Sequence, residues 1–230
     1  MKTLVAVVLL CSSFSVFGQK EVVEAKLNEY GLGKDFLNNS LRDQDAVHYY
    51  EFKITTNDGT KNIVQEGYFD PRVPVGQRWV LKTVNGAAPT KKELKKFNKA
   101  HNTRQPDING EVDDNSWTIA KDTDTIFAID FRFKRESLPK KYAFLADCTG
   151  TAYISKETGH LTTAEFRNDK PLKVKIFNVT ALAMDVDYTY LEEEEMYVME
   201  KEYLDMKVKL LGQLVEVEEI SEYANHEKVK

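Results

Sequence analysis

The sequence predicts a mainly β protein, α+β by element count, built on a single curved antiparallel sheet that forms an incomplete barrel. Three observations lead to this prediction. Apolar and polar residues alternate with a period of two along most of the 230 residues, and only two segments have helical spacing. The alternation also places aromatic side chains on one side of long strands. Strands of this length curl, because twist accumulates and a wide flat sheet exposes its edges.

Composition places the chain among ordinary globular proteins and excludes some partners. The chain is 42% hydrophobic and 30% charged, which is enough apolar material for one sizeable core. Its 37 acidic residues outnumber 32 basic ones, giving a net charge of -5. We therefore expect no nucleic-acid partner, because phosphate binding draws on an excess of Lys and Arg.

Residues 1–18 predict a secretory signal peptide that is cleaved before Gln19. Lys2 supplies a positive end, Leu4 to Leu10 is an unbroken apolar run, and Val16-Phe17-Gly18 provides small or apolar residues before the cleavage site. The run is too short to span a membrane, and no later segment is longer or more apolar. We expect a periplasmic or otherwise exported protein with no transmembrane segment.

The mature chain, residues 19–230, shows no repeat or linker and predicts a single half-barrel domain. Lipoprotein anchoring through Cys11 is disfavoured, because Leu10 stands where a small residue is needed. Removal of the signal peptide leaves Cys148 as the remaining cysteine, and its apolar neighbours predict a small buried strand residue.

The first elements of the mature chain are a short helix and a hairpin. Over residues 20–30, Val23, Leu27 and Tyr30 have helical spacing, which predicts a helix packed on the core. From residue 46 the period changes to two, with Tyr50, Phe52 and Ile54 on one face. Asn57-Asp58-Gly59 predicts the turn and residues 61–69 the return strand.

The later elements are predicted to be strands. Residues 123–134 form a long half-buried strand, and residues 142–166 form a meander broken at 148–150 and at 156–159. The period-two run over 172–190 is too long for a flat strand, so we expect either one long bent strand or a bulge at Asn178 to Thr180. Glu192 to Glu195 form a solvated turn, and strands follow at 204–210 and 214–220.

A lysine-rich helix is predicted near residues 90–101. Thr90 can cap it, with Glu93 as the capping-box partner. Leu94 and Phe97 share one face, and lysines cover the rest: Lys91, Lys92, Lys95, Lys96 and Lys99. Two interpretations stay open. The helix is either solvated with one apolar stripe on the core, or a lid whose lysines meet anionic lipid head groups or an acidic partner.

The apolar face of the sheet has no second sheet to cover it, so helices or a ligand must do so. We predict that the following residues face this cavity: Tyr50, Phe52, Trp79, Leu94, Phe97, Phe127, Phe131, Phe133, Ile176, Leu182, Met184 and Tyr188.

One block of sequence resembles a known family. It runs through Gly67-Tyr68-Phe69-Asp70-Pro71, Pro74, Gly76-Gln77-Arg78-Trp79, Asn85-Gly86 and Pro89-Thr90 into the lysine helix. The block is similar to a signature of uncharacterised exported bacterial proteins that resemble the lipoprotein-carrier (LolA/LolB-like) half-barrels. The resemblance extends over residues 45–224. It implies a periplasmic carrier or chaperone that holds an acyl chain beneath a helical lid, with no catalytic residues.

The signature residues also have physical roles of their own. Asp70-Pro71 ends a strand, and Gly76 lets the backbone reverse. Arg78 either stacks on Trp79 or pairs with Asp70. We expect a structural corner that fixes the approach of the lid, with Trp79 as an alternative ligand contact at the cavity rim.

Signals for an enzyme are weak. The histidines, at 48, 101, 160 and 226, lack metal-ligand spacing, and the acids at 113, 114, 122 and 124 lack the glycine and final Glu of a calcium loop. We expect no catalytic activity, no metal and no cofactor. The predicted function is carriage or binding of a lipidic or hydrophobic ligand. The alternatives are an envelope module whose lysine helix binds an anionic surface or a protein and, after that, a cavity enzyme.

Overall fold

The computed structural model describes residues 19–31, 48–102, 110–140, 142–174, 177–210 and 213–229. Two α-helices lie in this part of the chain, α1 (Gln19–Glu29) and α2 (Lys91–His101). The strands are β1 (His48–Asn57), β2 (Asn62–Phe69), β3 (Trp79–Val84), β4 (Thr118–Asp122), β5 (Ile126–Phe131), β6 (Cys148–Ser155), β7 (Leu161–Asn168), β8 (Leu172–Val174), β9 (Phe177–Leu191), β10 (Met196–Leu210) and β11 (Gln213–Lys228). Neither helix is long and apolar enough to cross a bilayer. The predicted signal peptide lies outside the described residues.

The strands form one antiparallel sheet in the order β3-β2-β1-β11-β10-β9-β7-β6-β5-β4, with β8 paired to β9. Strands β3 and β4 end this path, so the sheet is open rather than closed into a barrel. Register shifts interrupt five of the strand pairs, and such bulges bend and twist strands locally. The predicted fold class, a single antiparallel sheet with few helices, is confirmed.

The two faces of the sheet differ in polarity, as a half-covered antiparallel sheet should. We call the face that carries the apolar core the inner face. One row of paired residues crosses it from β1 to β5: Ile54, Ser221, Glu202, Val186, Ala164, Ala152 and Ile129. The adjacent row belongs to the outer face: Thr55, Ile220, Tyr203, Asp185, Glu165, Thr151 and Asp130. Polar contacts link outer residues, for example Thr151 Oγ1 to Asp130 Oδ1 at 2.6 Å.

Helix α1 covers the β4 end of the inner face. Val23 and Leu27 are buried among Phe127, Ile129 and Phe131, and Tyr30 packs 5.5 Å from Phe127 between ring centroids. The predicted helix and its apolar stripe are confirmed.

Helix α2 covers the opposite end, where it packs beside β3. Its capping box is complete: the Thr90 hydroxyl accepts from the Glu93 N–H at 3.3 Å, and Glu93 Oε2 accepts from the Thr90 N–H at 2.7 Å. Phe97 is buried and stacks on Phe52. The predicted helix is confirmed, but Leu94 keeps 36% of its surface exposed, so the buried stripe rests on Phe97 and not on Leu94.

Several predicted strand boundaries are wrong. The strands predicted at 204–210 and 214–220 are much longer, Met196–Leu210 and Gln213–Lys228, because the period-two pattern continues through polar residues. The strand predicted over 123–134 is shorter, Ile126–Phe131, although its alternation holds. The break predicted at 148–150 lies inside β6, and the first piece of the meander is a 3₁₀-helix, Ala143–Asp147. Gly150 marks a close contact rather than a turn, because a Cβ there would lie 2.6 Å from Cζ of Phe131. Cys148 is a buried strand residue, as predicted.

The run over 172–190 is not one bent strand. Leu172 pairs with Val179 and Val174 pairs with Phe177, so the chain reverses between β8 and β9. The predicted bulge is present: the register steps from Lys207 opposite Ala181 to Val208 opposite Val179, which leaves Thr180 as the extra residue. A continuous period-two pattern conceals the reversal, because both arms of the hairpin keep the same alternation.

Candidate functional site

The residues predicted to face a cavity lie in three apolar clusters on the inner face. The α2 cluster contains Phe52, Trp79 and Phe97, with Tyr50 in ring contact with Trp79. The α1 cluster contains Phe127, Phe131 and Phe133, with Met184 and Tyr188 packed against it. Leu182 belongs to a β8 cluster with Cys148, Leu172, Val179 and Val208. Leu94 lies outside all three, and Ile176 lies outside the described residues.

The family-signature residues build a structural corner between β2, β3 and α2. Asp70 forms a bidentate pair with Arg72, at 2.8 Å to Nε and 2.9 Å to Nη2, and this guanidinium holds the pKa of the Asp70 carboxyl below its ordinary value. Arg78 instead donates from Nε to the Val73 carbonyl at 3.3 Å. The predicted pairing of Arg78 with Asp70 is therefore wrong. Only their backbones meet, where the Asp70 N–H donates to the Arg78 carbonyl at 2.9 Å.

Asn102 connects this corner to the end of α2, a role that sequence reasoning missed. Its Oδ1 accepts from the Trp79 N–H at 3.0 Å, and its Nδ2 donates to the Trp79 carbonyl at 2.8 Å. The Trp79 ring then packs against Tyr50, Phe52 and His101. The signature thus positions α2 over the β3 end of the sheet. Gly76 has a φ of 97°, which permits the chain to reverse before Arg78. Pro71 and Gly86 lie in the connecting turns, and Pro89 lies just before α2.

Between the helix-covered ends lies the middle of the inner face, on β9, β10 and β11. Helix α1 packs at β4 and α2 at β3, the two outermost strands. Several large apolar side chains of the middle strands are only half-buried: Met184, Tyr188, Leu204, Met206 and Val217. We call these residues the central strip. It combines apolar character with partial exposure, which makes it the best candidate ligand surface among the described residues.

A group of polar side chains interrupts the apolar inner face beside this strip. Glu202 lies opposite Ser221, and Glu219 lies opposite Leu204 and accepts a hydrogen bond from Thr56 Oγ1 at 2.9 Å. We call Thr56, Glu202, Glu219 and Ser221 the central polar patch. Burial, with the charge of Glu219 added, raises the pKa of the Glu202 carboxyl above its ordinary value. Burial and the charge of Glu202 also raise the pKa of Tyr188.

The central polar patch could have been predicted from the alternation along β10. Leu204, Met206 and Val208 alternate on the inner face, and the same period carried back along β10 falls on Glu202. A glutamate at a position where the pattern requires an apolar residue breaks the local rule, and such breaks are typical of functional sites.

A second polar group lies where β1 begins and β9 turns into β10. His48 is 2% exposed, and its Nε2 is 2.6 Å from Glu194 Oε2. His160 lies 3.3 Å from Glu192 and stacks on Tyr190. The predicted turn at residues 192–195 is confirmed, but two of its glutamates contact histidines. Within the described residues, no three His, Cys, Asp or Glu side chains are grouped to hold a metal ion.

The raised pKa of Glu202 leads to a testable prediction about stability. A carboxyl whose folded pKa lies above its unfolded value favours the folded state at low pH, and this contribution is lost as pH rises through the folded pKa. Ionised Glu202 therefore lowers stability at neutral pH. We expect Glu202→Gln to raise Tm by a few degrees at pH 7 and to have little effect at pH 4, measured by thermal unfolding.

The matched control is Glu218→Gln, which removes the same charge from an exposed position on the outer face of β11. We expect this variant to have nearly the same Tm as the parent protein at both pH values. A Glu202→Gln protein that is less stable than the parent at pH 7 would contradict the assignment of Glu202 to a desolvated site.

Comparison with known proteins reveals little similarity. The chain matches no known family model and no curated protein. Among solved structures it is similar to a DUF1329 family protein from Desulfovibrio piger, with 9% sequence identity, a TM-score of 0.35 and coverage of 91% of each chain. A similarity of this strength carries no argument about function, and the resemblance to lipoprotein-carrier half-barrels remains a prediction.

Proposed function

We propose that this protein is an exported carrier or binding protein for a hydrophobic ligand, such as an acyl chain, held on the central strip. The observation that supports the proposal is the half-buried apolar surface of β9 to β11 between two helix-covered clusters. Covering apolar surface is favourable by about 25 cal/mol per Å². A bound acyl chain would supply that cover without a second sheet.

The dimensions of the middle strands suit such a ligand. Strands β9, β10 and β11 have 15, 15 and 16 residues, which corresponds to about 50 Å at a rise of about 3.3 Å per residue. One acyl chain spans only about half of the ~30 Å hydrocarbon core of a bilayer. The middle strands are therefore long enough to hold an extended acyl chain along their length.

The test is lipid analysis of the protein purified from its native compartment. We expect native mass spectrometry and solvent extraction to show a co-purifying lipid, and Leu204→Gln to reduce its amount several-fold by making the strip polar. Tyr203→Gln is the matched control, since Tyr203 is the neighbouring residue on the outer face of β10. Protein that carries no lipid and binds no added amphiphile would contradict the proposal.

A second candidate function is binding of an anionic membrane surface through α2. Lys91, Lys92, Lys95 and Lys96 are exposed, and no acidic side chain of the described residues forms an ion pair with them. Leu94 adds an exposed apolar side chain to the same helix. A basic helix surface with an apolar residue is typical of contact with anionic head groups.

This candidate is tested by co-sedimentation with vesicles of phosphatidylcholine containing phosphatidylglycerol. We expect binding that weakens as salt is raised, and loss of binding when the four lysines are replaced by Glu. Replacement of four exposed lysines elsewhere (Lys61, Lys121, Lys140 and Lys209) is the control for net charge. Equal loss in both variants would indicate a general charge effect and would contradict a specific role for α2.

A further inference from the structure

The central polar patch lies in surroundings that are otherwise apolar. Along its row, Glu202 has Val186 on the β9 side, and Ser221 followed by Ile54 on the β11 and β1 side. Leu204, one inner-face position further along β10, packs against the β8 cluster. The patch therefore adjoins apolar residues on both sides and along the strand.

A carboxyl group in this position is costly unless something binds it. Transferring a charged or polar group out of water is unfavourable when no hydrogen bond replaces the lost water. In the described part of the chain, Glu202 makes no hydrogen bond or ion pair, while Thr56 already satisfies one oxygen of Glu219. The patch thus retains acceptor capacity on Glu202.

Ser221 provides a second, independent observation. It is 4% exposed, and its register places it directly opposite Glu202 on the inner face. No hydrogen bond joins its hydroxyl to another group of the described residues. Buried hydroxyl groups are normally hydrogen-bonded, so the Ser221 hydroxyl is available to a polar group bound beside Glu202.

We propose that the central polar patch binds the polar group of an amphiphilic ligand, and that this group is a hydrogen-bond donor, cationic or uncharged, rather than an anion. The inference rests on the proposed function, because it assigns the head group of the molecule whose chain covers the central strip.

The chemistry of the patch determines this preference. An ionised carboxylate only accepts hydrogen bonds, so an ammonium or hydroxyl group supplies the donors that Glu202 lacks. An ammonium adds a charge-assisted bond and offsets the repulsion between Glu202 and Glu219. A carboxylate head group would bring a third negative charge into a poorly solvated site, which disfavours its binding.

The experiment compares three amphiphiles that have the same twelve-carbon chain: dodecylamine and dodecanoate below their micelle concentrations, and dodecanol below its solubility limit. Affinities for the full mature protein are measured at pH 7 by displacement of a neutral fluorescent lipid. We expect dodecylamine to bind about tenfold or more tightly than dodecanoate, with dodecanol between them. Glu202→Gln should reduce the amine preference and strengthen dodecanoate binding, while Glu218→Gln should leave the order unchanged.

The outcomes separate this inference from the proposed function. If dodecanoate binds as tightly as dodecylamine, the head-group inference is overturned while the carrier function stands. A preference for the amine that survives unchanged in Glu202→Gln also overturns it, since the selectivity would then arise elsewhere. A protein that binds none of the three overturns the carrier function and the inference together.

Discussion

Replacement of Gly67 by alanine is expected to destabilise the β1 to β3 end of the sheet by about 3 kcal/mol or more. A Cβ at this position would lie 2.0 Å from the Val80 carbonyl oxygen and 2.6 Å from Cζ of Phe52. The first contact is with backbone, so relief requires β2 and β3 to separate. The second is with a ring that is 3% exposed and has little room to move.

Urea denaturation, monitored through the fluorescence of Trp79 and Trp117, measures this loss of stability. Trp79 begins β3 and packs against Phe52, so its emission reports on the affected end. Gly59→Ala is the matched control: this turn residue has a φ of 79° and open space around its Cα, so the substitution costs about 1 kcal/mol from backbone strain alone. Equal stability of the two variants would show that β2 and β3 do not approach so closely.

Phe131→Ala is expected to cost about 3–5 kcal/mol of unfolding free energy. Phe131 is completely buried, and its ring packs edge-on against Phe133 and Phe166 at centroid distances of 5.5 and 5.9 Å. Its removal leaves a cavity in the α1 cluster that the rigid strands β5 to β7 fill only in part. Ile119→Ala, at a β4 position that is 37% exposed, is the control and should cost less than about 1 kcal/mol.

The ring of Phe131 also explains the glycine beside it, and a double-mutant cycle tests this. Gly150→Ala alone forces a Cβ against three ring atoms of Phe131 at 2.6 to 2.9 Å. In the Phe131→Ala background that space is free, so the second substitution should be nearly neutral. We therefore expect the double variant to be more stable than the sum of the two single effects predicts. Additive losses would mean that Gly150 is required for a reason other than this ring.

Sequence reasoning succeeded where the determinants of structure are local. The alternation around Phe52 predicts β1, the Asn57-Asp58-Gly59 turn predicts the hairpin, and Thr90 with Glu93 predicts the start of α2. Each of these signals involves residues a few positions apart. Strand periodicity and capping chemistry are therefore sufficient to identify them.

Sequence reasoning failed where the cause lies on another strand. The sequence predicts a turn at Gly150, whereas the structure shows that the ring of Phe131 requires a glycine there. The sequence also does not determine which arginine pairs with Asp70, because the loop conformation brings Arg72 and not Arg78 to its carboxylate. The central polar patch has the same origin. Glu202 and Ser221 are 19 positions apart and become neighbours only through the register of β10 and β11.

The pairing of β1 with β11 has a consequence for how the chain folds. His48 lies opposite Lys228, so the first strand joins the sheet only through the last one. Such long-range pairing raises contact order and slows folding, because a large loop must close before the contact gains stability. Strands β1 to β3 pair with one another, but they can join the other strands of the described sheet only after residues 213–228 have been synthesised. The pairing of β1 with β11 is therefore one of the last steps in assembling this sheet.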